Sequence, residues 1–207
     1  MHLDFQGWDL NLLLAVRSHS SPVAVWTAWL FASLAWKGVF SWMMALVFWL
    51  RGHRQLATQF VLALGCGTLA IICLKGLVLR PRPDLYAARE LNIPMPELLP
   101  TQHSFPSGHT LLAAAIMMVL LSRYRDWRAW ALVAFVFLVG LSRVYQGMHW
   151  PSDIVGSVIL GMVAGIFAVK LSELPIVRKL TQDRVAKSKM AAAAVDAAQK
   201  KEIAGVR

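Results

Sequence analysis

Long apolar runs separated by short polar turns set the rhythm of this chain. Apolar helical spans are predicted over residues 57–79, 105–121, 129–142 and 153–169, in the style of membrane crossings. An earlier run, 23–50, is apolar except for Lys37. As one helix it measures about 42 Å at roughly 1.5 Å per residue, too short for two full crossings of a core about 30 Å thick. It is either one long tilted span bent near Lys37 and Gly38 or two short helices with Lys37 reaching outward. Residues 5–17 are apolar with polar interruptions and too short to span. They read as an interfacial helix with Trp8 at headgroup depth, and "SHSSP" then breaks the chain. The pattern predicts an all-α polytopic bundle of five or six transmembrane helices with an N-terminal interfacial helix.

Composition agrees with a bilayer setting: 57% of the 207 residues are apolar and the mean hydropathy is +0.55. Only 15% are charged, yet the net charge is +10. The basic residues are scattered over short loops, which suits topogenic signals and not a nucleic-acid surface. The turns 51–54 and 122–128 and the tail share one face, which the positive-inside rule makes cytoplasmic. The loop 84–104, with Pro94, Pro96 and Pro100, and the connector 143–152 then fall on the extracytoplasmic side. Cys66 and Cys73 form neither a disulfide framework nor a metal quartet. No removable signal peptide is evident. One membrane domain is expected over 1–175, followed by a cytoplasmic basic and alanine-rich tail over 176–207.

Three polar sets then change the picture, because all lie at the extracytoplasmic ends of spans. In "KGLVLRPRPD", Lys75 sits one turn inside its span, while Arg80, Arg82 and Asp84 follow at the rim and Pro81 and Pro83 stop the helix. In "SFPSGHT", Ser104 is the expected cap and Pro106 the expected first turn. Open N–H groups at Ser107, Gly108 and His109 would then make an anion site. In "SRVYQGMHWPSD", Arg143 closes one span, and Pro151 starts the next with His149 before it and Asp153 in its first turn. The Asp153 carboxylate is expected to accept a hydrogen bond from one imidazole nitrogen of His149, leaving the other to attack; a plain helix cap is the competing reading. Cations, N–H groups, two histidines and an aspartate on one side of a membrane match a phosphoryl-transfer site. With no second carboxylate cluster to ligate Mg²⁺, neither metal nor cofactor is expected.

These residues resemble the type-2 phosphatidic acid phosphatases, the lipid-phosphatase branch of a superfamily shared with vanadium haloperoxidases and bacterial acid phosphatases. The three ordered motifs of that family fall on Lys75, Arg82 and Pro83; on Pro106 to His109; and on Ser142, Arg143, His149 and Asp153. The likeness covers about residues 55–170. It implies a metal-independent enzyme with a phosphohistidine intermediate. His149 would be the nucleophile, Asp153 its orienting partner and His109 the acid for the leaving oxygen. Lys75, Arg82, Ser107, Gly108 and Arg143 would cradle the phosphate. The implied substrates are membrane lipids: undecaprenyl pyrophosphate, phosphatidic acid or phosphatidylglycerol phosphate, met at the outer face of a cytoplasmic membrane. A haloperoxidase using vanadate in the same cradle and a non-catalytic lipid-binding or transport relative are the alternatives. The apolar spans count against the first, and the two histidines with Asp153 against the second.

Overall fold

The computed structural model describes residues 5–18, 21–34, 39–84 and 103–179. These residues build seven main helices: α1 (Phe5–Ser18), α2 (Pro22–Leu34), α3 (Val39–Leu50), α4 (Arg54–Leu77), α5 (Gly108–Leu121), α6 (Trp127–Tyr145) and α7 (Pro151–Glu173). The fold is all-helical, as the pattern predicts. By length and composition α4, α6 and α7 suffice to cross a membrane, while α3 and α5 are shorter apolar helices. Residues 180–207 lie outside the described residues, and with them most of the tail.

Local chemistry sets the ends of these helices. Gly52 adopts φ +81°, a conformation that other residues rarely take, and turns the chain from α3 into α4. Asp126 caps α6 by accepting the Arg128 N–H at 3.0 Å. Pro151 opens α7 at a position where its missing N–H costs nothing.

The centre of the bundle is α5, packed against α4, α6 and α7. Leu111, Ala114, Ala115 and Val119 are fully buried there. The tightest seam joins α5 to α7. A Cβ at Gly161 would meet the Leu111 carbonyl oxygen at 2.3 Å, and one at Gly165 would meet that of Ala115 at 2.5 Å. Two glycines four residues apart thus let the backbones touch, the small-residue packing typical of helices in lipid. This contact, with the Ser107 N–H on Ser157 Oγ, seats the start of α5 alongside the second turn of α7.

Within the stretch 23–50 the described residues form two helices, α2 and α3. α2 packs on α6, with the Phe31 and Phe135 rings 6.2 Å apart, whereas α3 packs on α4, with Phe48 and Phe60 5.4 Å apart. Lys37 and Gly38 lie outside the described residues. The two ends of this stretch lie at opposite ends of the bundle. Asp9 of α1 is joined to Arg80 beyond the end of α4, while the turn after α3 lines one cavity with Arg123 and Tyr124 beyond the end of α5. α1 lies at the end where Lys75, Gly108, Arg143 and Asp153 gather.

Candidate active site

Four helix ends and two connecting segments converge at that end. α4 delivers Lys75, and the extended "RPRP" that follows carries Arg80 and Arg82. Residues 103–107 lead into α5, while α6 ends on Arg143 and α7 begins just after His149.

His149 is buried, and its Nδ1 lies 2.7 Å from the carbonyl oxygen of Ser104. A carbonyl only accepts, so Nδ1 carries the proton and Nε2 holds the lone pair. Burial, then the charges of Arg143, Arg82 and Lys75, hold the imidazole well below its ordinary pKa of 6.5, against a smaller opposing effect from the Ser104 bond. The ring is therefore neutral at physiological pH.

The expected direct bond between His149 and Asp153 is replaced by a longer path. Asp153 Oδ2 stands 4.0 Å from Nδ1. That oxygen accepts the Ser104 hydroxyl and, at 3.0 Å, the Trp150 N–H, while Oδ1 accepts Arg80 Nη1 at 2.7 Å. The carboxylate caps its own helix and is saturated by other donors, and the Ser104 carbonyl takes the place it was expected to hold. Asp153 thus reaches the ring through Ser104, whose own N–H donates to the Arg80 carbonyl at 2.7 Å.

The cations differ in how they are held. Lys75 is buried and its Nζ donates to the His103 carbonyl. Arg82 Nη1 reaches Met148 Sδ at 3.4 Å and Arg143 Nη1 donates to Gln146 Oε1 at 2.7 Å. The Nε atoms of both arginines are buried without a partner among the described residues. Buried donors of this kind are rare in native proteins unless something outside the chain satisfies them. Arg80 faces the other way. The Arg80 guanidinium bridges Asp153 and Asp9 and lies 5.3 Å from the Trp150 ring centre.

The start of α5 differs from expectation in two details. Ser107, not Ser104, is the N-cap residue, and Pro106 precedes the helix. The Ser107 N–H donates to Ser157 Oγ at 2.7 Å, so it is not open to an anion. The Ser157 hydroxyl in turn donates to the Asp153 carbonyl at 2.6 Å, and this stitches α5 to α7 below the site. Gly108 and His109 remain as the first two helical residues, both half-buried. His109 also lines one end of an apolar cavity of about 240 Å³ that follows α5 past Leu112 and Ile116 to Leu120, walled by Phe40, Met44 and Phe48 of α3.

Two contributors escape the sequence reading. Ser104 is found there only as a helix cap, although it joins Asp153 to the nucleophile candidate. Asp9 is not found at all, although it is fully buried. Its one sequence signal is an acidic residue in an otherwise apolar interfacial segment. Among the described residues no group of three or more histidines, cysteines or carboxylates is placed to hold a metal ion.

Known proteins place this architecture. The sequence model of the PAP2 superfamily matches residues 56–174. The undecaprenyl-diphosphatase BcrC of Bacillus subtilis is 32% identical over 136 residues, covering 64% of this chain and 67% of BcrC. Phosphatidylglycerophosphatase B of the same organism is 31% identical over 120 residues, covering 53% of this chain and 54% of the relative. The crystal structure of Aquifex aeolicus LpxE superposes with a TM-score of 0.67 at 25% identity, over 82% of this chain and 99% of that one. The family match spans more than half of the sequence and contains all three motifs, so the chain belongs to the PAP2 superfamily and is a membrane lipid phosphatase of that family.

Proposed function

We propose that the protein hydrolyses the terminal phosphate of a polyprenyl or glycerol lipid by way of a phosphohistidine on His149. The observation that carries this reading is the crowding of Lys75, Arg82 and Arg143 around a buried neutral imidazole, with two guanidinium Nε atoms lacking partners. Packing three cations together is unfavourable until an anion enters, and a phosphate offers the oxygens those donors lack. His149 Nε2 attacks phosphorus, and the bond from phosphorus to the leaving oxygen breaks. His109, at the head of α5, gives that oxygen its proton. Water then attacks the phosphohistidine, His109 takes its proton, and the P–N bond breaks to release phosphate. Lys75, Arg82, Arg143 and the N–H of Gly108 hold the non-bridging oxygens, with Ser107 shaping the turn beside them. Asp153 stabilises positive charge on the ring through Ser104.

The apolar cavity below His109 supports a lipid leaving group, and the likeness to BcrC favours undecaprenyl pyrophosphate over phosphatidic acid or phosphatidylglycerol phosphate. Arg51, Arg54, Arg123, Arg125 and Arg128 near the opposite end support a site on the extracytoplasmic side of a cytoplasmic membrane. No metal takes part in this scheme. The test is phosphate release from these three lipids by the purified protein in detergent with EDTA, together with acid-quench trapping of the phosphoenzyme. Release on none of them would end the lipid phosphatase reading. Turnover that requires Mg²⁺ would end the metal-free mechanism.

A further inference from the structure

Asp9 lies on α1, far from the three motifs in sequence and outside the stretch matched by the family. It is nevertheless fully buried. A carboxylate in that state must be paired and hydrogen-bonded. Its Oδ1 accepts the Ser152 N–H at 2.9 Å, and its Oδ2 accepts Arg80 Nη2 at 2.6 Å and the Ser152 hydroxyl at 2.5 Å.

The partners of Asp9 lead inward. Arg80 Nη1 donates to Ser152 Oγ and to Asp153 Oδ1, both at 2.7 Å. Asp153 Oδ2 receives the Ser104 hydroxyl, and the Ser104 carbonyl holds His149 Nδ1 at 2.7 Å. A continuous run of polar contacts therefore joins α1 to the imidazole. Apolar packing supports the same docking, because Leu13 of α1 is buried against Val144 and Trp150 on either side of the His149 connector.

We infer that Asp9 is a positioning residue for phosphoryl transfer, through which α1 sets the orientation of the His149 ring by way of Arg80, Asp153 and Ser104. The inference rests on the reading of His149 as the nucleophile. Two separate roles could explain the burial of Asp9: fastening α1 to the bundle, or tuning the site. They differ in what they change. A fastening role governs how much protein is folded. A positioning role governs turnover per folded molecule and the electrostatics at the ring. The charged groups around the ring are Lys75 from α4, Arg80 and Arg82 beyond it, Arg143 from α6, Asp153 from α7 and Asp9 from α1; His103 and His109 are the neighbouring titratable groups. Removing the negative charge of Asp9 leaves more uncompensated positive charge there, which disfavours the imidazolium further.

The experiment compares wild type, Asp9→Asn and Ser152→Ala, full-length in detergent, on undecaprenyl pyrophosphate and phosphatidic acid. Wild-type turnover and its trapped phosphoenzyme test the underlying reading first and independently. For Asp9→Asn, kcat should fall roughly ten- to hundredfold per folded molecule while KM stays within about threefold, because ring alignment and not phosphate binding is lost. The acid limb of kcat/KM should move to lower pH. Ser152→Ala removes one attachment of Asp9 and keeps both carboxylates and Arg80. It should lose less turnover with the acid limb in place, and it carries the test if Asp9→Asn does not accumulate as folded protein. Wild-type kcat in folded Asp9→Asn, or in Ser152→Ala when that variant stands alone, would overturn the inference. So would an acid limb that stays put while activity falls only in step with the folded fraction.

Discussion

The carbonyl oxygen of Ser104 lies 2.7 Å from Nδ1 of His149, in the place where a carboxylate was expected. The backbone of one connecting segment thereby fixes the tautomer of a ring on another, and no side-chain substitution at residue 104 removes that acceptor. Ser104→Ala should therefore keep a trappable phosphoenzyme and lose only the hydroxyl link to Asp153, a cost of roughly tenfold or less in kcat. Asp153→Asn removes the charge paired with Arg80 as well and should cost roughly ten- to hundredfold. His149→Ala should abolish turnover and leave nothing to trap. A phosphoenzyme in acid-quenched His149→Ala would show that another residue is the nucleophile.

The depressed basicity of His149 has a definite pH consequence. In the proposed scheme the attacking form is neutral, and burial with the charges of Arg143, Arg82 and Lys75 holds the imidazole well below its ordinary 6.5. Activity attributable to this group is lost only as pH falls through that lowered value. The acid limb of kcat/KM, which reports the free enzyme, should lie below the ordinary histidine range. A bound phosphate offsets the surrounding cations and raises the pKa, so the limb in kcat should sit at higher pH than the limb in kcat/KM. Steady-state profiles on a substrate whose own ionisation is known separate the two, and coincident limbs near neutrality would contradict the electrostatic account.

The acid role proposed for His109 has a different signature. A lipid alkoxide is a poor leaving group and needs a proton, whereas p-nitrophenolate needs little help. His109→Ala should lose roughly a hundredfold or more on a lipid phosphate and clearly less on p-nitrophenyl phosphate. Equal losses on both substrates would remove His109 from the acid role.

The glycine seam makes a prediction about stability. Gly161→Val places a Cβ where the Leu111 carbonyl oxygen already stands, 2.3 Å away, so α5 and α7 must move apart. A cost of about 1–3 kcal/mol is expected, together with loss of activity, because the same seam holds His109 and His149 in register. Gly76→Ala is the control. A Cβ there meets nothing within 4 Å, and thermal stability should hardly change.

The helical architecture and the gathering of the motifs were legible because both depend on strong local signals. Apolar runs mark helices, and prolines and basic turns mark their ends. The fate of residues 23–50 was not legible, since one bent span and two short helices share the same hydropathy. Only their different neighbours, α6 for one and α4 for the other, separate the two readings. The Asp153 geometry was hidden for a related reason. A spacing of four residues places a carboxylate near an imidazole but does not reveal that Ser104, nearly fifty residues earlier, competes for the same oxygen. Asp9 was hidden more deeply, because its partners are 71 and 143 residues away. The glycines of α7 carried a readable small-residue spacing whose meaning depends on the helix they face.

The two arginines of "RPRP" also divide the charge at the site between them. Arg80 is taken up by Asp9 and Asp153, so the buried and half-buried charges comprise four cations, Lys75, Arg80, Arg82 and Arg143, against two carboxylates. Lys75, Arg82 and Arg143 are the cations left to meet an anion. In the proposed scheme orthophosphate meets the same donors as the substrate's phosphoryl group. Orthophosphate should compete with substrate and protect the fold against heat, and added salt should weaken both effects.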